Sequence, residues 1–388
     1  MITVFHILDL FLFYLLLVSV LYLFFFALLS TFRNHRIEET PKKIMDMLVI
    51  FPAYKEDRVI LDSVNSFLSQ DFPAEKMEVV VVSDSMSDDT NQCLSRLPIT
   101  LLTPDHRLNS KANALKYAIS NMDDRFDVVV ILDADNHVEP SFLREINKFF
   151  YSGSLAVQAH RKARNLNTPM AVLDAISEEI NNSIFRKGQV NLGFSSALIG
   201  SGMAIDYKWF AQNVVKLSTA GEDKELEILL LKDKIFIDYL DHVTVLDEKI
   251  QSADAFYNQR RRWIASQAGA LVNGIKLLPG ALAGRNTDLL NKIFQQFLLP
   301  RVVLMGFLGI FAALTTILEP GTSLKWWGLL ALLLFSFALA VPDELVTKEN
   351  IKSVRLLPLI FLMMVMNFFR IKGANKHFIH TQKGINGK

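Results

Sequence analysis

Residues 126–136 read FDVVVILDADN: a run from Phe126 to Leu132 broken only by Asp127, then two aspartates in alternate positions, Asp133 and Asp135. A run this apolar and this rich in β-branched residues, without polar alternation, is the pattern of a strand covered on both faces. Three more runs lie upstream: MLVIF (47–51), MEVVVV (77–82) and ITLL (99–102). Each is followed by a helical pattern: ILDSVNSFLSQ after the first, a turn and a helix near Asp89 to Leu97 after the second, and KANALKYAI after the third. SFLREINKFF follows the fourth run in the same way. Strand and helix alternating from Met45 to Phe150 predict an α/β fold with a doubly wound parallel sheet and right-handed crossovers. In such sheets ligands bind beyond the carboxyl ends of the strands.

The polar residues just past those ends are therefore the candidates: Pro52 to Asp57, Ser83 to Thr90, Asn109 to Lys111, and Asp133 to Asn136. No glycine-rich dinucleotide fingerprint follows the first strand, and no P-loop occurs in the chain, which argues against nicotinamide dehydrogenases and P-loop ATPases. Asp133 and Asp135 at a strand end suit one hard cation, Mg²⁺ or Mn²⁺, shared with a substrate phosphate; the triplet alone also fits chance. Asp84 can accept an imide N–H from a uracil ring, or cap a helix. Tyr54 offers a ring face to a base, or packs. Lys111 can neutralise a phosphate, or stay a solvated lysine. Downstream, Gly221-Glu222-Asp223 opens a helical run. Its acidic residues either complement a helix dipole or include a carboxylate that takes a proton from an acceptor hydroxyl. In Gln259-Arg260-Arg261-Arg262-Trp263, helical spacing puts Gln259, Arg262 and Trp263 on one side. Arg262 can pair with a diphosphate and Trp263 can sit under a sugar. The alternative, a basic membrane-surface helix, is the expectation for Arg260 and Arg261.

The rest of the chain points to a bilayer. The 388 residues carry 41 Lys+Arg against 40 Asp+Glu and are 51% hydrophobic, with 29 Phe. Disorder is excluded by that composition, and a charge of +1 argues against a nucleic-acid partner. The single cysteine, Cys93, excludes a disulfide framework or a Cys-rich zinc site. Between Asp9 and Arg33 there is no charge. At 1.5 Å per residue that stretch covers the ~30 Å hydrocarbon core. It lacks the basic start of a signal peptide and reads as a retained transmembrane helix. Arg33, Arg36, Lys42 and Lys43 follow it, so the positive-inside rule puts the N-terminus outside and the α/β domain in the cytoplasm. Val302 to Leu318 and Trp326 to Pro342 are uncharged, and Glu319 to Thr322 between them reads as a tight hairpin. Leu356 to Phe369, between Arg355 and Arg370, is short for a span and reads as re-entrant or interfacial, with the basic tail cytoplasmic. Apolar residues at 289, 290, 293, 294, 297 and 298 form one helical face ahead of Pro300; this predicts a helix lying flat on the membrane, and 268–283 the same.

The ordered set of Pro52-Ala53-Tyr54-Lys55-Glu56, Asp84 with Asp88-Asp89-Thr90, Lys111, Asp133-Ala134-Asp135, Gly200-Ser201-Gly202, Glu222-Asp223 and Gln259 to Trp263 resembles membrane-bound glycosyltransferase family 2, which includes cellulose, chitin and hyaluronan synthases and chitooligosaccharide synthase. The resemblance covers about residues 45–270. It implies a GT-A-type, Rossmann-like cytosolic domain joined to α-helical transmembrane segments. It further implies that Tyr54, Glu56 and Asp84 hold uridine, that Lys111, Asp133 and Arg262 bind the nucleotide sugar, and that Asp135 ligates Mg²⁺ or Mn²⁺. Asp223 would be the general base, and Gly202, Glu222, Gln259 and Trp263 would meet the acceptor. The implied reaction inverts a UDP-sugar into a β-glycoside. Three motifs depart from the family's common pattern: Lys55 for Asn, Ser83-Asp84-Ser85 for Asp-Asp-Gly, and Gly221 for the Thr of processive synthases. The expected organisation is a transmembrane helix over 1–35, the GT-A domain over 42–266, interfacial helices over 267–300, transmembrane helices over 301–371 and a basic tail over 372–388. The expected setting is an integral membrane protein of a bacterial inner membrane. Three activities are consistent with this: extension of a poly- or oligosaccharide, coupled or not to translocation; non-processive transfer to a lipid or lipid-linked acceptor; and an inactive membrane-tethered binding protein. The sequence leaves the oligomeric state open.

Overall fold

The computed structural model describes residues 2–32, 41–219 and 221–370; Arg33, Arg36 and the basic tail lie outside them. Helix α1 (Ile2–Ser30) precedes β1 (Met47–Tyr54), α2 (Ile60–Phe67), β2 (Met77–Asp84), α3 (Asp88–Leu94), β3 (Thr100–Leu102), α4 (Lys111–Ser120) and β4 (Val128–Ile131). Then come β5 (His137–Val138), α5 (Phe142–Tyr151), β6 (Ala156–Ala163), α6 (Pro169–Asn181), a π-helical turn (Asn182–Lys187) and α7 (Gly188–Leu192). The domain closes with β7 (Met203–Asp206), α8 (Tyr207–Asn213), α9 (Glu222–Lys232) and β8 (Ile237–Asp247). Beyond it lie α10 (Ala253–Ala283), α11 (Thr287–Phe297), α12 (Arg301–Leu318), α13 (Pro320–Ala340), α14 (Lys348–Ile351) and α15 (Leu357–Phe368).

The eight strands form one sheet in the order β3-β2-β1-β4-β7-β6-β8-β5. The four apolar runs are the parallel part, in register Met47↔Met77 and Met47↔Val128. Alternate residues bury on opposite faces. Leu48, Ile50, Val80 and Val129 pack toward α4 and α9, and Val49, Phe51, Val81 and Val130 toward α2 and α5. The wholly parallel sheet expected from the sequence stops at β4: β7 is antiparallel to both β4 and β6, and β5 to β8. The reason is visible in the residues. β6 (AVQAHRKA) is polar along its length and β7 has four residues, so neither carries the apolar signature of the first four.

Among the described residues, four helical segments are long and apolar enough to cross a membrane: His6–Ser30, Arg301–Leu318, Pro320–Ala340 and Lys348–Phe368. Of these, α1, α12 and α13 share a core of Leu16, Val20, Leu23, Leu308, Trp326 and Leu333. α1 and α13 run parallel. Asp9 pairs with Lys325 and accepts the Trp326 Nε1–H at 2.8 Å at their starts. At their other ends, Asn191 donates to the Leu29 carbonyl and Ser183 to the Ala340 carbonyl. Phe11, Leu15, Val18 and Phe25 stay exposed on α1. The α12–α13 hairpin turns at Glu319, with Pro320 opening α13, a position where its missing N–H costs nothing.

Two expectations change at the membrane edge. α10 is one 31-residue helix running straight through residue 266, where a domain boundary was expected. Much of the apolar stripe of α11 is turned into protein, while Phe297 of the same stripe is 55% exposed. Leu289 and Ile293 join the core of the α/β domain, the Phe294 ring lies 5.1 Å from the Tyr22 ring of α1 at a 51° tilt, and Gly274 of α10 lets Ile293 approach. α11 thus packs against the α/β domain, α1 and α10, and the amphipathic pattern alone could not tell protein from lipid.

Candidate active site

β1 and β2 end side by side, with Tyr54 paired to Asp84. Asp84 is 4% exposed. Its Oδ2 accepts the Leu108 N–H at 3.0 Å and its Oδ1 the Ser85 hydroxyl at 2.9 Å. That fixes the loop before α4, and the carboxylate retains lone pairs for one more donor. Lys55 bends back with φ 55° and lies over the Tyr54 ring at 5.4 Å. Asp88 and Asp89 occupy the first turn of α3 behind the Ser87 cap, the dipole-complementing role.

At the end of β4 a turn closed by the Asn136 N–H on the Asp133 carbonyl at 3.0 Å shapes the acidic triplet. The Asn136 side chain accepts the Asp133 N–H at 2.8 Å and the Ser201 hydroxyl. Asp135 is 1% exposed and takes the Glu248 N–H at 3.2 Å. The last residue of β8, Asp247, comes from 112 positions downstream of Asp135 and completes a triad. One oxygen each from Asp133, Asp135 and Asp247 lies within 4.8 Å of the others. This all-oxygen set suits a hard divalent cation. Asp247 was not singled out from the sequence; its one legible signal was its place at the end of the strand IDYLDHVTVLD.

Lys111 opens α4 and bridges two clusters. Its Nζ donates to Asp133 and, at 2.7 Å, to the Gly200 carbonyl, and stands 3.8 Å from Glu222. Burial alone would lower its pKa, but the carboxylates of Asp133 and Glu222 outweigh burial and keep it charged. Glu222 is the more perturbed group. Burial, with Asp223 and Asp133 nearby, raises it to about 7 against the pull of Lys111. Asp223, next on α9, accepts the Lys224 N–H at 2.8 Å and faces the same cavity. Gly200 has φ 78°, and a Cβ there would stand 3.5 Å from Glu222 and 3.7 Å from Lys111. Gly202, expected to meet the acceptor, is not among the lining residues. A Cβ on it would press to 2.7 Å from Val245 of β8, so its glycine serves sheet packing.

α10 supplies the far wall with Gln259, Arg262, Trp263, Ser266 and Gln267. Burial lowers the Arg262 pKa, with Glu222 and Asp133 opposing. Arg260 is a correction: it is 8% exposed, paired with Asp174 of α6, and its guanidinium stacks 4.1 Å from the Trp263 ring. It clamps α10 onto α6 inside the protein. Beside it, burial would raise Glu178, but Arg161, Arg186 and Lys249 hold it at about 2. Gly221 is a contact point as well, since a Cβ there would lie 2.1 Å from Ser266 Oγ. The glycine in place of a threonine is what lets α10 settle on α9.

Together these walls enclose one cavity of about 470 Å³, lined by Tyr54, Glu56, Asp84, Lys111, Asp133, Asp135, Glu222, Asp223, Gln259, Arg262 and Trp263. Its lining also includes Asn181, Phe185 and Arg186 from the π-helical turn region and Lys292, Gln295 and Gln296 from α11, none of which the sequence reading had named.

Residues 45–266 match the family described as glycosyltransferase like family 2. The β-monoglucosyldiacylglycerol synthase of Synechocystis sp. is 24% identical over 260 residues, covering 64% of this chain and 53% of that protein. A probable glucomannan 4-β-mannosyltransferase of Arabidopsis thaliana is 22% identical over 353 residues, 86% of this chain and 62% of that one. The chain thus spans between half and two thirds of the length of these curated relatives. Among solved structures, the mannosyltransferase PcManGT from Pyrobaculum calidifontis, determined with GDP-Man and Mn²⁺, superposes with a TM-score of 0.59 at 17% identity, over 91% of this chain and 95% of that one. The fold is of the GT-A type.

Proposed function

The chain belongs to glycosyltransferase like family 2, and from that premise we propose that it is an inverting glycosyltransferase. It moves a sugar from a nucleotide diphosphate donor, UDP-linked on the resemblance of its motifs, to an acceptor hydroxyl held at the cytoplasmic face of a membrane. The observation that carries this reading is the convergence of Asp84, Lys111, Asp133, Asp135, Asp223, Arg262 and Trp263 on one cavity, although they come from five separate stretches of sequence. Nothing in folding the sheet requires all of them there.

Tyr54, Glu56 and Asp84 receive the nucleoside, with Asp84 accepting from the base. Asp133, Asp135 and Asp247 are the residues to hold Mg²⁺ or Mn²⁺, which when bound would neutralise the donor diphosphate. Lys111 and Arg262 place fixed positive charge where negative charge grows on the leaving diphosphate. Asp223 takes the proton from the acceptor hydroxyl as the oxygen attacks the anomeric carbon. Attack from the side opposite the leaving group inverts that carbon, so an α-linked donor gives a β-glycoside. Glu222, Gln259 and Trp263 orient the acceptor.

One observation favours non-processive transfer to a membrane-borne acceptor over a polysaccharide threaded across the bilayer. Among the described residues, none of those lining the cavity belongs to α1, α12 or α13, whose shared core is apolar. The cavity is lined instead by α11, where Gln295 donates to Tyr22 of α1 at 3.0 Å. The test uses purified protein in lipid, a panel of nucleotide sugars, and product mass. A single-sugar adduct to a lipid is expected, with Asp223→Asn at least 10²-fold slower and still binding donor. A ladder of products would overturn the non-processive reading, and wild-type turnover in Asp223→Asn would overturn the assignment of the base.

A further inference from the structure

Of the four apolar segments, the last differs in what it touches. Its apolar part, α15, has 12 residues, about 18 Å of helix against a hydrocarbon core of ~30 Å. The preceding turns carry Lys348, Glu349, Lys352 and Arg355. Both ends of the segment meet elements of the catalytic domain's side. At the start, the 3₁₀ turn Lys352–Leu356 packs on α6. At the finish, Asn367 Nδ2 donates to the Tyr257 carbonyl of α10 at 3.2 Å, and Arg261 Nε of α10 donates to the Arg370 carbonyl at 2.9 Å. In between, Ile360 and Met364 pack with Phe256 and Ile264 of α10, and Phe361 lies on Gly306 of α12, where a Cβ would come within 2.2 Å of its ring. Gly306 is only about 8 Å along α12 from Arg301. A helix that spanned beside α12 would follow it to Leu318.

We infer that residues 348–369 are a strap lying flat in the leaflet on the catalytic domain's side, with one face in lipid and the other bracing α10. The outer face is continuous and apolar: Leu359, Leu362, Met366 and Phe369 are 44%, 54%, 41% and 86% exposed, at helical spacing opposite Ile360, Met364 and Asn367. A helix apolar on both faces with only one covered by protein needs hydrocarbon on the other. That occupant is continuous with the lipid around α12, which the strap crosses at Gly306. The described residues then hold three spans, and Arg370 lies on the same side as the cavity. The inner face holds the first turns of α10, which carry Gln259, Arg262 and Trp263.

Sidedness is tested first, and does not depend on the reaction. Cys93 is exposed in the catalytic domain and reports that side in the unaltered protein. In a Cys93→Ser background, Glu349→Cys and Arg370→Cys should react with an impermeant maleimide only from the face where Cys93 does, and Gly321→Cys, at the α12–α13 turn, only from the other. A fluorescent protein fused after Lys388 should be active, and alkaline phosphatase there inactive. Labelling of Arg370→Cys from the Gly321 face, or an active phosphatase, overturns the strap. The bracing rests on the transferase reading and is measured separately. Gly306→Leu, which displaces Phe361, and Asn367→Leu should each lower kcat about tenfold while sparing the donor KM and the labelling pattern. Unchanged kcat in both overturns the bracing while leaving the transferase reading intact.

Discussion

Glu222→Gln exchanges the most perturbed carboxyl of the cavity for a neutral group of the same shape. Glu222 is 7% exposed, 3.8 Å from Lys111, and its pKa stands at about 7 where 4.5 is ordinary. Burial is the main cause, so the folded protein holds this proton more tightly than the unfolded chain does. The stability that the proton confers is fully present below about pH 4.5 and is lost as pH rises toward 7, at about 1.4 kcal/mol per unit, or about 3 kcal/mol in all. Glutamine has no proton to lose. Relative to the wild type, Glu222→Gln should therefore gain stability with pH: near parity at pH 4.5, and several degrees higher in Tm at pH 8. Thermal unfolding of both proteins in the same lipid nanodiscs, with chelator present and pH stepped from 4.5 to 8, reads the difference directly. Lys111→Met should push the wild-type transition higher still, because Lys111 opposes the shift. A Tm difference independent of pH, or one that closes as pH rises, would refute burial as the cause.

Asp247→Asn removes one member of the carboxylate triad. Millimolar Mn²⁺ should raise the Tm of the wild type, by the equivalent of about 3 kcal/mol at a hundredfold excess over Kd, and raise that of the variant much less. Gly221→Ala brings a Cβ to 2.1 Å from Ser266 Oγ. Pushing α10 off by about 1 Å should cut kcat some 10²-fold, and Ser266→Ala in the same chain should restore most of it; failure to restore would mean that the overlap is not what costs activity. Arg260→Leu strands Asp174 in the interior and should destabilise by about 3–5 kcal/mol, with Asp174→Asn in the same chain recovering much of that in Tm and yield.

The α/β class and the strand-end site were legible because they depend on local pattern. Four runs of β-branched residues can bury both faces only inside a covered sheet, and polar residues right after them must fall at its carboxyl edge. The uncharged stretch from Leu10 to Phe32 likewise admits few homes other than a bilayer. What the chain alone could not reveal depends on distance across the fold. Asp247 becomes a partner of Asp133 and Asp135 only because β8 passes alongside β6 and ends at the same rim. Arg260 reads as one of three consecutive basic residues, yet its position on α10 turns it inward to Asp174 while Arg262 faces the cavity. Gly202 and Gly200 look alike in sequence, and the approach of Val245 decides that one packs the sheet while the other borders Lys111 and Glu222. Hydrophobic pattern sets which residues leave water; which neighbour each then meets is fixed by contacts between segments far apart in the chain, and those exist only once the sheet and its helices have closed.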